Sequence, residues 1–350
     1  MIKKIIATFA LLALFVVVGG YAYIKTAMVR SVALSHPVLL NVPKGSSLNS
    51  VGIQLAENGL IESTALFIAY ARLIGQSQNI KAGEYQFGGM VSPVSILNQL
   101  IDGAVVFHSV TLVEGHRYTT LLQHLWSQGH IKATLKGKTE KEVIALLGVE
   151  RNHLEGLLFP DTYQFTKGES DLSIIKRAYL RMKTVLAEEW FERQNDLPYQ
   201  SAYDALVMAS IVEKETGLGS ERADIAGVFV RRLKKNMRLQ TDPTVIYGLG
   251  EEFDGNLTRR HLKTKTPYNT YMNYGLPPSP IATPGRAAIH AALHPASGTT
   301  LYFVARGDGS HEFTSNFSDH NKAVVKFQKK RVKNYRSSPA PVSNKKSVNQ

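Results

Sequence analysis

Hydrophobic residues follow three different rhythms along this chain. The first is continuous: Ile5 to Ile24 reads IIATFALLALFVVVGGYAYI without a charge, about the length a helix needs to cross a bilayer. Lys3 and Lys4 precede it, which keeps the N-terminus in the cytoplasm and places the rest of the chain outside. A cleaved signal peptide would carry a shorter apolar core and a small-x-small site before the folded part, so the run reads as an uncleaved anchor.

The second rhythm mixes short strands with helices. LLNVPKG reads as a strand, Ser46 or Ser47 can cap a helix, and Leu48, Val51 and Leu55 keep helical spacing before Gly59 and Ile61 close it. Leu112, Gly115, Tyr118, Leu121, Leu125, Gly129 and Ile131 repeat Val42, Gly45, Leu48, Val51, Leu55, Gly59 and Ile61 in register. This is a weak internal repeat of strand, Gly-containing turn and helix. Between the copies lie a helical stretch, Thr64 to Ile74, and KAGEYQF, which alternates like a strand. No cluster of carboxylates or histidines suggests chemistry here, and the region reads as a binding or positioning module.

The third rhythm is longer and helical. After the lysine-rich LKGKTEKEVIALLG and the turn-bearing LEGLLFPDTYQF, Asp171 to Phe191 forms a long helical candidate. The next one ends in MASIVEKETG, Met208 to Gly217. Residues three, four and seven positions before Glu215 are Val212, Ile211 and Met208, so this carboxyl ends an apolar stripe. Glu213 points to a different side, and the two glutamates do not form an acid and base pair. A poorly solvated carboxyl near the negative end of a helix dipole has its ionised form disfavoured, and can hold and donate a proton near neutral pH. On this stretch alone, a solvated end formed by Glu213, Lys214 and Glu215 stays open as the alternative. Ser220 can cap the following helix, which has acids at its start and Arg231, Arg232, Lys234 and Lys235 at its end.

Downstream, groups that hydrogen-bond and stack on sugars accumulate: Gln240, Thr241, Asp242 and Tyr247, then Tyr268, Asn269 and Tyr271, with the stiff loop GLPPSPIATPG behind them. LYFVARGDGSHEFT reads as a hairpin around Gly-Asp-Gly, followed by Asn316, His320 and Asn321. Composition removes several classes of chemistry. The chain of 350 residues has no cysteine, which excludes disulfides, thiol nucleophiles and thiolate metal sites. Its net charge of +13 suits anionic partners, but no aromatic-and-basic module reads nucleic acid. His290 and His294 sit four apart but lack the glutamate of HExxH and any third ligand by spacing, so no metal and no cofactor is expected. No GxSxG elbow supports a serine nucleophile.

SIVEKET, RLQTDPTVIYG, YNTY, GLPP with IATPG, HPA, LYFVA and the closing HEF, Asn316 and His320-Asn321 run together resemble the YceG-like family of endolytic murein transglycosylases. The resemblance covers about Leu154 to Asn321. It implies an α+β chain with a single transmembrane helix (1–30), a small LysM-like module (31–140) and a larger α+β catalytic domain (141–335), with a basic tail (336–350) outside the resemblance. It also implies a single-pass enzyme of the inner membrane with its catalytic domain in the periplasm. Such an enzyme cleaves nascent peptidoglycan between MurNAc and GlcNAc and leaves a 1,6-anhydroMurNAc end, with peptidoglycan synthases as partners. The family's catalytic glutamate falls on Glu215. Gln240, Asp242, Tyr268, Asn269, Tyr271 and Asn316 are the expected substrate contacts. Two rivals remain at this point: a lysozyme-like hydrolase in which Asp242 is a second carboxylate, and a membrane-tethered protein that binds glycan without cutting it.

Overall fold

The computed structural model describes residues 2–329, and the basic tail expected at 336–350 lies outside them. The chain is mixed α and β with helices dominant. It forms two compact units, one ending at Ser109 and also holding Gln164–Glu169, the other built from Val110–Tyr163 and the chain from Ser170 onward. The second copy of the repeat belongs to the larger unit.

In the first unit the uninterrupted apolar run becomes helix α1 (Ile2–Val29), with a mean hydropathy of 2.4 over its most apolar window and none of that window buried. By length and composition it is long and apolar enough to cross a membrane. Strand β1 (Val32–Ala33) follows, then β2 (Val38–Val42), α2 (Leu48–Glu57), α3 (Thr64–Leu73), β3 (Gly83–Phe87), β4 (Met90–Val91) and α4 (Pro93–Asp102). β2 pairs antiparallel with β3 from Val38–Phe87 to Val42–Gly83, and β1 pairs with β4. Of the two serines that could cap α2, it is Ser47 that accepts from the Ser50 amide. Val51, Leu55, Phe67, Tyr85, Phe87, Ile96 and Leu97 fill the core, and Met28 at the end of α1 is buried with them. The apolar helix is thereby fixed to the module that follows it.

The second unit takes over within β5 (Phe107–Thr111), which pairs with β6 (Thr162–Thr166). Helices α5 (Tyr118–Ser127) and α6 (Glu140–Leu147) lie between them. The repeat is real in three dimensions: strand, left-handed glycine and helix recur as β2, Gly45 (φ 82°) and α2, then β5, Gly115 (φ 72°) and α5. Next come α7 (Asp171–Phe191), α8 (Ala202–Glu215), α9 (Arg222–Lys234), α10 (Asp242–Leu249), α11 (Arg286–Leu293), the hairpin β7 (Tyr302–Ala305) and β8 (His311–Thr314), and α12 (Phe317–Val324). No sheet among the described residues exceeds two strands. Burial on the second unit therefore comes from helix packing, with α8 at its centre against α7, α9, α10 and α11.

One local expectation changes. Ser220 does not cap α9: residues 219–221 form a 3-10 turn, Glu221 occupies the cap position, and its carboxylate instead accepts from the His311 amide and stands 2.7 Å from the His311 ring. The run DPTVIYG, marked in the sequence only by its polar groups, forms helix α10, with Pro243 in the first turn where no amide donor is needed.

Gly156 lies in the turn of LEGLLFP with φ +75°, and a Cβ there would collide with the Pro280 ring, whose Cγ would be 2.7 Å away. Left-handed strain and a rigid neighbour act together. Gly156→Ala is expected to lower stability by about 2 kcal/mol or more. Gly129→Ala, at a position with open space and no left-handed φ, should change little. Thermal melts of the two variants check this, and a Gly156→Ala melt equal to wild type would contradict the packing described.

Candidate active site

Helix α8 begins with a reciprocal cap, Ser201 accepting from the Asp204 amide and Asp204 accepting from the Ser201 amide 3.1 Å away. Every residue from Ala205 to Val212 is buried. Hydrophobic residues surround this helix on all faces, so it is the central rod of the unit. Ser210, its buried polar residue, donates to Val207 O and accepts from the Ile281 amide at 3.0 Å.

Glu215 is the last residue of that rod. Thr216 then turns extended (φ −142°), ending the helix, and its hydroxyl accepts from the Leu218 amide. Protein encloses the Glu215 carboxyl although the residue keeps some surface. Burial is the largest influence and raises its pKa; a hydrogen bond from Thr241 opposes this, the Asp242 charge adds to it and the Arg232 charge opposes it, leaving the group at about 7. The Thr241 hydroxyl donates directly to Glu215 Oε1.

Thr241 is held with little freedom. Its amide donates to Thr270 Oγ1 (3.1 Å), its carbonyl accepts from Thr244 Oγ1 (2.7 Å), and the Thr244 and Thr270 hydroxyls are 2.8 Å apart. All three threonines are buried. Just before them Gln240 adopts φ 53°, its amide donating to Thr270 O, so the chain turns sharply and the Gln240 side chain is exposed. Asp242 begins α10 with its side chain exposed, and the Tyr271 hydroxyl donates to its Oδ1 at 2.6 Å.

Arg232 is buried beside this group. Its guanidinium donates to Leu301 O and Leu239 O at 2.7 Å each and lies 5.1 Å from the centre of the Tyr302 ring. The pattern along α9 marks it only as a cation suited to a helix C-terminus. Nothing in its spacing signals that Arg232 turns inward while Lys234 turns to solvent. Thr241 was likewise one polar residue among several, and only the fold singles it out.

Glu213 takes a different task, as its position on the helix requires. Burial raises its pKa, and its Oε2 accepts from the Gly285 amide at 3.0 Å while Arg222 stands 3.8 Å from Oε1. Together with Ser210 it secures the proline-rich loop to α8. Lys214 donates to Gly115 O, and Gly115 and His116 exchange backbone bonds with Thr283, so the second repeat's turn joins the same network.

The remaining expected contacts divide. Tyr268 is half-buried, its hydroxyl 2.7 Å from Ser279 Oγ and its ring edge-on to Tyr247. Asn269 is buried: its amide donates to Leu262 O (3.1 Å) and Thr264 O (2.7 Å), and its carbonyl accepts from the Tyr271 amide. Asn316 caps α12 through the Asp319 amide and bonds the Asp319 carboxylate. The structure thus brings Thr241, Asp242 and Tyr271 to the Glu215 end of α8, while the Asn269 and Asn316 side chains are occupied in holding backbone. Spacing alone did not register Glu155, a second buried glutamate. It accepts from the Tyr118 amide and from Tyr247, and burial raises its pKa to about 7.

His290 and His294 do acquire a third neighbour of ligating type, Glu189, with ligand atoms within 4.8 Å of one another. The Glu189 oxygens are already occupied by Arg286 Nε (2.6 Å) and His290 Nδ1 (2.8 Å). Burial would raise this carboxyl, but those two bonds outweigh it and hold it low. A guanidinium on the same carboxylate makes this an ion-pair network and a poor donor set for a cation.

The model of the YceG-like family matches residues 40–326. An endolytic murein transglycosylase of Bacillus subtilis is 33% identical over 307 residues, covering 83% of this chain and 84% of the relative. One from Streptococcus pneumoniae is 27% identical over 348 residues, covering 87% of this chain and 61% of that longer protein. The solved structure of a YceG-like protein from Listeria monocytogenes superposes with a TM-score of 0.51 at 30% identity, covering 82% of this chain and 99% of that one.

A carboxyl raised in the folded state makes stability depend on pH in a defined direction. Between the ordinary value of 4.5 and about 7 the folded chain binds more protons at Glu215 than the unfolded chain, so stability falls as pH rises through that window. Glu215→Gln removes this cost. Its melting temperature relative to wild type is expected to climb from pH 5 to pH 8, by the equivalent of roughly 2–3 kcal/mol at most. A difference that stays flat with pH would mean the carboxyl is solvated.

Proposed function

The chain belongs to the YceG-like family, and from that membership we propose that it is an endolytic murein transglycosylase with Glu215 as its acid and base. It is an enzyme of the lytic transglycosylase class, acting on peptidoglycan glycan strands between MurNAc and GlcNAc. The observation that carries the assignment of Glu215 is its environment: a carboxyl at the end of a buried helix, protonated near neutral pH and oriented by Thr241.

The Thr241 hydroxyl donates to Oε1, which makes that oxygen the acceptor and leaves the acidic proton on Oε2. Oε2 gives this proton to the glycosidic oxygen as the bond to C1 of MurNAc breaks, and positive charge develops at C1. The C6 hydroxyl of the same sugar then attacks C1, and its proton passes to the carboxylate. No water enters, the acid is regenerated, and the product is a 1,6-anhydro ring. Arg232 favours the carboxylate between the two steps. Asp242, fixed by Tyr271, supplies negative charge near the reacting centre. Gln240, Tyr268 and Tyr271 are the proposed sugar contacts, while Asn269 and Asn316 act by holding the loops that carry such contacts.

The apolar helix α1 supports a single-pass inner-membrane protein with the N-terminus in the cytoplasm and the rest of both units in the periplasm. Residues 31–140 are proposed as the LysM-like module and connecting region that position the strand and 141–335 as the catalytic domain, with peptidoglycan synthases as the proposed suppliers of substrate. A hydrolase with Asp242 as second carboxylate is the competing reading, favoured by the influence of Asp242 on Glu215.

Mass spectrometry of fragments released from uncrosslinked glycan strands separates the two. Ends lighter by one water and resistant to borohydride are expected, and Glu215→Gln should lose at least about a thousandfold in rate, the loss typical when a general acid is removed along with its second role. Reducible ends would transfer the reaction to hydrolysis. The wild-type kcat/KM should fall as pH rises above about 7, where the acid loses its proton.

A further inference from the structure

Arg259, Arg260 and Lys263 line an open pocket of about 400 Å³ together with Thr264. The three cations project from a short 3-10 turn, His261–Lys263, and its approach, and both arginines are exposed. Among the described residues no carboxylate lies within ion-pair distance of any of them, although Glu251, Glu252 and Asp254 occur just before in sequence. Three like charges on one short turn repel each other. Chain connectivity alone would let them spread.

Asn269 holds the backbone of this turn in place. Its buried amide donates to the carbonyls of Leu262 and Thr264, on either side of Lys263, and its own carbonyl accepts from the Tyr271 amide. Tyr271 in turn donates to Asp242, beside Glu215. A cluster of unpaired cations is therefore tied by two residues to the candidate catalytic carboxyl. Arginine pairs recognise planar carboxylates and phosphates by forked hydrogen bonds, and an anion seated between them removes the repulsion.

We propose that this cavity is a subsite for oxyanions carried by the nascent glycan strand, either the carboxylates of its stem peptides or the diphosphate of its lipid-linked end. The inference rests on the transglycosylase reading, since the strand is the ligand in question. It assigns the loop to selecting the substrate's anionic substituents while the Glu215 site acts on the sugar backbone.

The test uses full-length Glu215→Gln protein in nanodiscs of zwitterionic lipid, with and without Arg259→Gln, Arg260→Gln and Lys263→Gln. Binding is measured for uncrosslinked strands that bear stem peptides, strands stripped by an amidase and then amidated at the lactyl carboxylate this leaves on each MurNAc, and each of these with and without a polyprenyl diphosphate end. Strands carrying an anion are expected to bind at least tenfold tighter than bare ones, with the advantage shrinking as salt rises from 50 to 200 mM. The triple variant should lose the advantage and keep the affinity for bare strands. The arm in which the loss occurs identifies stem peptide or diphosphate as the source.

An advantage that survives in the triple variant, no advantage at all, or an equal loss on bare strands would each overturn the subsite. Loss of binding to vesicles containing anionic phospholipid, with strand binding unchanged, would assign the loop to the membrane surface and also overturn it. Cleavage by the wild-type chain, followed in parallel, keeps the two proposals apart. Anion-dependent binding without cleavage sinks the enzymatic reading alone, and cleavage without anion dependence sinks the subsite alone.

Discussion

Under the proposed mechanism Glu215 gives up a proton and takes one back, so its carboxyl has to be poorly solvated and yet held still. Those demands conflict, because the groups that hold a carboxylate are the ones that lower its pKa. Here the conflict is settled by a single neutral donor. Thr241 bonds one oxygen of Glu215, and burial outweighs that bond, leaving the group near 7. A charged partner at the same distance would fix the side chain equally well and strip its proton. Arg232 illustrates the compromise: its charge is close enough to favour the carboxylate, but its hydrogens go to backbone carbonyls.

Everything around this pair keeps the Thr241 hydroxyl where it is. The buried threonines at 241, 244 and 270 form a closed set of bonds, and the left-handed turn at Gln240 delivers the chain to them. On the other side α8 is immobilised by packing against four helices, and its polar residues Ser210 and Glu213 hold the backbone of the proline-rich loop. Proline removes donors and restricts φ, so a loop with so many prolines makes few backbone bonds of its own. It depends on α8 for them.

Long helices and the repeat were legible because they rest on periodicity, a signal that survives without tertiary context. Asp171–Phe191 forms one helix, and Glu215 ends the helix whose apolar stripe pointed to it. Asp242–Leu249 is too short for periodicity to mark it as a helix, although Asp-Pro-Thr makes a good first helical turn. Arg232 and Glu155 were invisible for a different reason. Charged residues are usually exposed, and only the three-dimensional arrangement shows that the carbonyls of Leu301 and Leu239 wait for Arg232 and that the Tyr118 amide waits for Glu155. Asn269 and Asn316 carry the composition of a sugar-binding surface while their side chains hold backbone, which composition cannot distinguish.

Helix α10 joins these local arrangements into one. At its start Thr241 bonds Glu215, and near its end Tyr247 bonds Glu155, a second carboxyl that burial raises to about 7. Tyr247 also lies under Arg117 and edge-on to Tyr268, so the wall that faces the candidate substrate is supported from this end. Deprotonating either glutamate places a charge in a poorly solvated position, and its α10 partner is the side chain that must respond. Thr241 can only donate to it more strongly, and so can Tyr247, so ionisation tightens α10 at both ends instead of releasing it. A short helix with a carboxyl at each end can therefore keep its geometry through the proton transfers proposed for Glu215, because the bonds that hold it strengthen when the charge appears.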